Sequence, residues 1–188
     1  MCGRMNVMDD PLTQWLSQQL GLDFHTHTNP DLRPSQTIDV VAAGDLQISA
    51  RWGIKPSWSK RLLINAQSET VAEKRTFKQA FAERRCVIPF NGWYEWRDEG
   101  GPRKQKYLFQ RQDSRPLLMA GIWYPAETGP ELVTLTSPAN DVCAPIHHRM
   151  PTLIRADSIQ GWLTGDSQNA QLILHANDDE LIHFQQVG

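Results

Sequence analysis

Cys86-Val87-Ile88-Pro89-Phe90-Asn91-Gly92-Trp93-Tyr94-Glu95-Trp96 sets an apolar run, a two-residue turn signal and an aromatic run end to end. Cys86–Phe90 reads as a strand, because β-branched and aromatic residues bounded by a turn signal favour a pleated, buried segment. Asn91-Gly92 is the strongest short hairpin signal in the chain, so Trp93–Trp96 is expected to return antiparallel after it. On an alternating strand Glu95 shares a face with Trp93, while Tyr94 and Trp96 point to the other. A carboxylate beside an indole in a partly dry site would hold its proton more tightly and be ready for proton transfer. The ordinary alternative is an exposed strand glutamate.

More strands flank this stretch. Ile38–Ala43 and Leu46–Trp52 read as a hairpin across Ala43-Gly44-Asp45, and Leu62–Asn65 as a short buried strand. Tyr107–Phe109, Leu117–Tyr124 and Leu132–Thr136 read as three more. Asp10-Pro11 opens a helix, Asp as cap and Pro at the first helical position, with Leu12, Trp15, Leu16 and Leu20 on one face and Gly21 at its end. Thr70-x-x-Glu73 is a capping-box pattern, predicting a helix through about Arg84 with Phe77 and Phe81 one turn apart. Ile159–Leu163 and Ala170–Leu174 suggest two short helices, and the tail from His183 is too short for a further element. The expectation is an α+β fold: one β-rich domain over residues 1–188, its antiparallel strands arranged as a barrel or as packed sheets, with a few peripheral helices.

The 188 residues, 40% hydrophobic and 21% charged, suit one globular domain. No apolar run approaches the roughly 20 residues that span a bilayer, and the start lacks the basic and apolar regions of a signal peptide. Three cysteines, Cys2, Cys86 and Cys143, at unrelated spacings point to reduced thiols in a cytoplasm rather than a disulfide framework. The net charge of −2 hides an asymmetry. Residues 51–106 hold 13 of the 19 Lys and Arg but 6 of the 21 Asp and Glu, a segment charge of +7 against −9 elsewhere. Four of the seven tryptophans, Trp52, Trp58, Trp93 and Trp96, lie in that segment. Cations interleaved with large rings suit a polyanion with stackable bases; a solvated helix beside core aromatics accounts for the pattern equally well.

Two further stretches carry chemistry. Met1-Cys2-Gly3-Arg4 would expose a cysteine once Met1 is removed, giving an α-amine and a thiol on adjacent carbons. Their ordinary pKa values are about 7.7–8.0 and about 8.5. An amine condenses with an aldehyde to an imine, and the neighbouring thiol can close a five-membered thiazolidine on the same carbon; a thiolate can also accept an acyl group alone. His147-His148-Arg149 supplies side chains that exchange protons near neutrality. Three chemistries are open: a thiol peptidase using Cys2 and His147, a non-covalent single-strand binding module, or a zinc site from Cys143-x3-His147 with Cys2 or Cys86. The last lacks a usual structural spacing.

Taken in order, these pieces resemble the SOS response-associated peptidase (SRAP) family, abasic-site sensors that crosslink to DNA. The resemblance runs through Met1-Cys2-Gly3-Arg4, Trp52-Gly53 to Pro56 and Trp58, Asn65-Ala66 to Glu69-Thr70, and Arg85-Cys86 to Pro89. It continues through Gly92-Trp93-Tyr94-Glu95-Trp96, Ala120-Gly121-Ile122-Trp123 and His147 to Arg149-Met150-Pro151. It implies a cysteine nucleophile freed by loss of Met1, and a thiazolidine between Cys2 and the opened sugar of an abasic site in single-stranded DNA. Cys2 would be the nucleophile, Asn65 its orienting partner, and Glu95 and His147 the acid/base groups. Arg4 would contact phosphate, Trp58 and Pro34 would stack on bases beside the lesion, Thr136 would line the site, and Arg149 would be among the DNA-binding residues. No cofactor or metal is implied, nor any membrane; the expected protein is a cytoplasmic monomer, nucleoid-associated if bacterial. Departures from the family pattern are Gln67 for Arg, Asp31 for Asn and His148 for Asp, together with a short C-terminus.

Overall fold

A computed structural model describes residues 3–176 and 182–188. In chain order its elements are β1 (Met5–Val7), α1 (Asp9–Leu20), β2 (Asn29–Leu32), β3 (Thr37–Ala42), β4 (Leu46–Trp52), β5 (Asn65–Gln67), α2 (Lys78–Glu83) and β6 (Arg85–Phe90). There follow β7 (Gly92–Arg97), β8 (Gln105–Arg111), β9 (Leu117–Tyr124), β10 (Glu131–Pro138), β11 (Arg149–Pro151), α3 (Ile159–Thr164), α4 (Ser167–His175) and β12 (Ile182–Gln186). The strands form two mostly antiparallel sheets with short helices around them, as the sequence leads one to expect.

One sheet has the order β12-β8-β7-β1-β2. The other runs β11-β10-β4-β3-β6-β9, and β10 also pairs with β9, so β4, β3, β6, β9 and β10 close on themselves as a small barrel. Closure removes free edges from the core strands. β10 is the hub. Along one side it takes β4 and then β5 in parallel; along the other it takes β9 and then β11 antiparallel. β6 is buried at every position, which suits a strand walled on both faces. Its Pro89 carries no N–H, and the pairing with β3 covers only Cys86 and Val87, so no bond to β3 is lost there.

The β3–β4 hairpin forms as expected, its loop turning with left-handed φ at Gly44 (78°) and Asp45 (55°). α1 ends as its signal says, Gly21 capping the helix at φ 65° with its N–H on the Ser17 carbonyl at 2.9 Å. Its start differs from the expectation: the helix opens at Asp9 after Met8, Asp10 is extended within it, and no side chain caps its first turn. Four more expectations are corrected. Asn91-Gly92 makes no hairpin: β6 belongs to the barrel and β7 to the five-stranded sheet, so the chain changes sheets there. Gly92 is required by space, since a Cβ on it would overlap the carbonyl oxygen of Phe109. The helix foreseen from Thr70 begins at Lys78, because residues 70–77 stay in turns that bury Val71. The strand foreseen at Leu62–Asn65 starts at Asn65, where pairing with β10 begins. The tail does form a strand, β12, hydrogen-bonded to β8 from Ile182 to Gln186. None of the described helices is long and apolar enough to cross a membrane.

Candidate active site at the seam between the sheets

Glu95 lies on β7, where the five-stranded sheet meets the barrel. The alternation expected of β7 holds: Trp93 stacks on Phe109 with centroids 4.8 Å apart, while Tyr94 and Trp96 pair on the opposite face at 6.5 Å. Glu95 is 3% exposed. Burial penalises its charged form and pushes its pKa up to about 7. The same strand carries the described start of the chain, since Tyr94 N–H donates to the Arg4 carbonyl at 3.0 Å and Met5 pairs with Trp93. Cys2 and Met1 lie outside the described residues.

His147 reaches the seam on a turn that begins at Cys143. His147 N–H donates to the Cys143 carbonyl at 3.0 Å, and Arg97 of β7 donates to the Pro145 carbonyl at 3.3 Å, which ties this turn to the strand of Glu95. The Glu95 charge is close enough to push the Cys143 thiol up beyond the effect of burial, to about 12. Arg149 N–H lies 3.0 Å from His147 Nδ1. An amide can only donate, so Nδ1 accepts from it when the ring proton is on Nε2. The Arg149 carbonyl, 3.1 Å from Nδ1, accepts once the ring is protonated. Desolvation nevertheless lowers the His147 pKa. His148 stacks on His147 at 4.5 Å and remains exposed.

The opposite wall comes from β10 and β5. Asn65 stands beside Thr134, whose hydroxyl bonds its side-chain oxygen and, at 3.1 Å, the Ile64 carbonyl. Thr136, two residues on and 1% exposed, faces Arg149. Arg149 itself is 8% exposed and makes a bidentate pair with the Glu69 carboxylate and a bond to the Thr136 carbonyl. That guanidinium therefore braces the His147 turn against β5 and β10 rather than facing solvent. The pair holds the Glu69 carboxyl down at about 2.

Arg4, Pro34 and Trp58 are the other residues expected to meet a strand. Arg4 pairs with Asp31 and stands 5.4 Å over the Trp96 ring; Asp31 is shared with Arg33, and the two guanidinium groups lower its pKa. Pro34 sits in a turn closed by Gln36 N–H on the Arg33 carbonyl (3.1 Å), with Ser35 at φ 70° and bonded to the Trp52 carbonyl at 2.7 Å. Trp58 tops the excursion between β4 and β5 and is 67% exposed, unusual for so large an apolar ring. It borders a groove of about 370 Å³ that also has Tyr124 and Pro125 on its walls. Gln67 is exposed on β5.

The fold thus links Asn65, Thr136, Arg149 and His147 through β10, and His147 to Glu95 through the Cys143 turn. Pro34 is held beside Trp52 through the Ser35 N–H, and Trp58 lies on the groove with Tyr124 and Pro125. The sequence offered no sign of the Glu69–Arg149 brace or of Thr134, whose partners lie 80 and 69 residues away along the chain. The centre can do general acid/base work at two points, a carboxyl titrating near neutrality and an imidazole whose Nδ1 is engaged by the Arg149 backbone.

Comparison with known proteins adds independent findings. The family described as SOS response associated peptidase (SRAP) matches residues 1–188. Abasic site processing protein YoqW of Bacillus subtilis is 27% identical over 207 residues, covering 100% of this chain and 92% of that protein. Abasic site processing protein YedK of Escherichia coli is 35% identical over 166 residues, 86% of this chain and 64% of that protein. A phage-related protein from Bordetella bronchiseptica superimposes with a TM-score of 0.83 at 23% identity, covering 99% of this chain and 94% of the other. At that identity the superposition speaks for the fold alone.

Proposed function

The chain belongs to the SOS response associated peptidase (SRAP) family, and from that premise we propose that it captures abasic sites in single-stranded DNA as a thiazolidine on Cys2. Relatives named abasic site processing proteins support the target. The observation that carries the chemistry is the buried Glu95, with its raised pKa, on the strand that hydrogen-bonds the described start of the chain. Cys2 is two residues before Arg4, and each Cα–Cα step is about 3.8 Å, so the tether to β7 is short.

An abasic sugar is mostly a closed hemiacetal. His147, with Nε2 carrying the proton, donates to the ring oxygen while the C1 hydroxyl gives its own proton to water, and the aldehyde is released. Glu95 takes a proton from the Cys2 ammonium, the amine adds to the aldehyde carbon, and the carbinolamine hydroxyl leaves as water with the proton returned by Glu95. The Cys2 thiol adds to the imine carbon, its proton passes to nitrogen, and the ring closes with net loss of one water. Asn65, oriented by Thr134, holds the reacting end by hydrogen bonding. Closing the ring consumes the aldehyde and so blocks strand scission by β-elimination.

The test is intact mass spectrometry after mixing the protein with uracil-glycosylase-treated single-stranded DNA. The expected product lacks Met1 and has gained the oligonucleotide less one water. Cys2→Ala should give no adduct. An adduct that persists in Cys2→Ala, or on protein retaining Met1, overturns the proposal. Peptide turnover without any adduct would favour the thiol peptidase instead.

A further inference from the structure

On the face of the five-stranded sheet turned away from Glu95, two cations converge on one aromatic pair. Lys106 Nζ stands 3.9 Å over the Tyr94 ring and 5.8 Å from the Trp96 ring, and the Arg4 guanidinium stands 5.4 Å over Trp96. Pairing explains the placement: Lys106 is opposite Trp96 in the β7–β8 ladder, and Arg4 is bonded to Tyr94 through the backbone. Asp31, the carboxylate that pairs with Arg4, also serves Arg33. Among the described residues Lys106 makes no ion pair. A ring quadrupole holds an ammonium in place but does not neutralise it. The patch therefore keeps excess positive charge at fixed positions, one residue from the start of the described chain.

The geometry points to Lys106 as a phosphate contact, acting with Arg4 to grip the backbone of the strand next to the captured nucleotide. This rests on the function proposed above for the choice of a nucleic acid as partner. Because Arg4 and Lys106 attend the Trp96 ring, that ring serves as a rigid spacer between cations, whereas Trp58, largely bare, serves as the stacking platform. Lys106 sets affinity and register and takes no part in proton transfer.

The experiment measures binding of an intact, lesion-free single-stranded oligonucleotide by fluorescence anisotropy across a salt series. Wild type, Lys106→Gln and Lys106→Arg are compared, with melting curves as a check on folding. Losing one phosphate contact should flatten the plot of log affinity against log salt by about 0.7 and weaken binding about three- to tenfold at low salt. Lys106→Arg should keep the wild-type slope. Capture of an abasic site at saturating protein should proceed at the wild-type rate in all three. An unchanged slope in a folded Lys106→Gln protein overturns the assignment, as does a slowed capture rate at saturation. Because the strand is intact, failure of wild type to capture abasic DNA would overturn the covalent chemistry while leaving this result readable.

Discussion

Arg149 donates its backbone N–H to His147 Nδ1 at 3.0 Å while its guanidinium clasps the Glu69 carboxylate. One residue thereby engages Nδ1 of an imidazole and holds the turn that carries it. Removing the carboxylate should loosen both. Glu69 is 38% exposed, so water screens the pair and it is expected to contribute about 1 kcal/mol. In Glu69→Gln, capture of an abasic strand should slow with little change in strand affinity, read by adduct formation against anisotropy.

The same carboxylate fixes a pH dependence. Its folded pKa, about 2, lies below the ordinary 4.5, so its contribution is complete above 4.5 and is lost as pH falls toward 2. The stability gap between wild type and Glu69→Gln, followed by denaturant titration, should close over that window.

Glu95 has the opposite sign. An unfolded carboxyl releases its proton near 4.5, whereas the folded one keeps it to about 7, so wild-type stability declines from pH 4.5 to 7. Glu95→Gln escapes this and should be more stable than wild type at pH 8 by about 2–3 kcal/mol, the advantage vanishing near pH 4. It should also capture no abasic DNA. In wild type the capture rate should rise through pH 7 as Glu95 ionises; a flat profile would remove Glu95 as the base.

Trp58→Ala should leave the melting temperature nearly unchanged, since the ring is 67% exposed. Strand affinity should fall by about 1–3 kcal/mol if a base stacks there. Equal affinity in the variant would move the stacking platform elsewhere.

Gly92→Ala tests the corner between the sheets. The added methyl meets the Phe109 carbonyl, which is locked in the β7–β8 ladder and cannot yield. A loss of roughly 2–3 kcal/mol is expected in chemical denaturation.

Much of the architecture was legible locally. β3, β4, β8, β9 and β10 announced themselves by composition, and Gly21 marked the end of α1. Asn91-Gly92 misled because a hairpin and a corner look alike over six residues; only the distant partners of β6 and β7, namely β9 and β8, decide between them. β12 was missed because its strand character comes from pairing with β8 rather than from its own sequence. At the candidate site, Glu95 and His147 stand out in the sequence by their chemistry. The braces around them do not, because Glu69 and Thr134 are ordinary residues until long-range folding gives them partners.

The excursion between β4 and β5 leaves β10 at Leu132, which accepts from Gly53 N–H at 2.8 Å, and rejoins it at Thr134, which donates to Ile64 at 3.1 Å. The mutual bonds of Ile54 and Leu63, at 3.0 and 2.9 Å, clamp its neck. The segment bearing Trp58 is thus a module hung from a single peg: its length and composition can be exchanged without shifting the barrel rungs on either side. Substitutions within it would remodel the surface around Trp58 and leave the β10 pairing on either side in place.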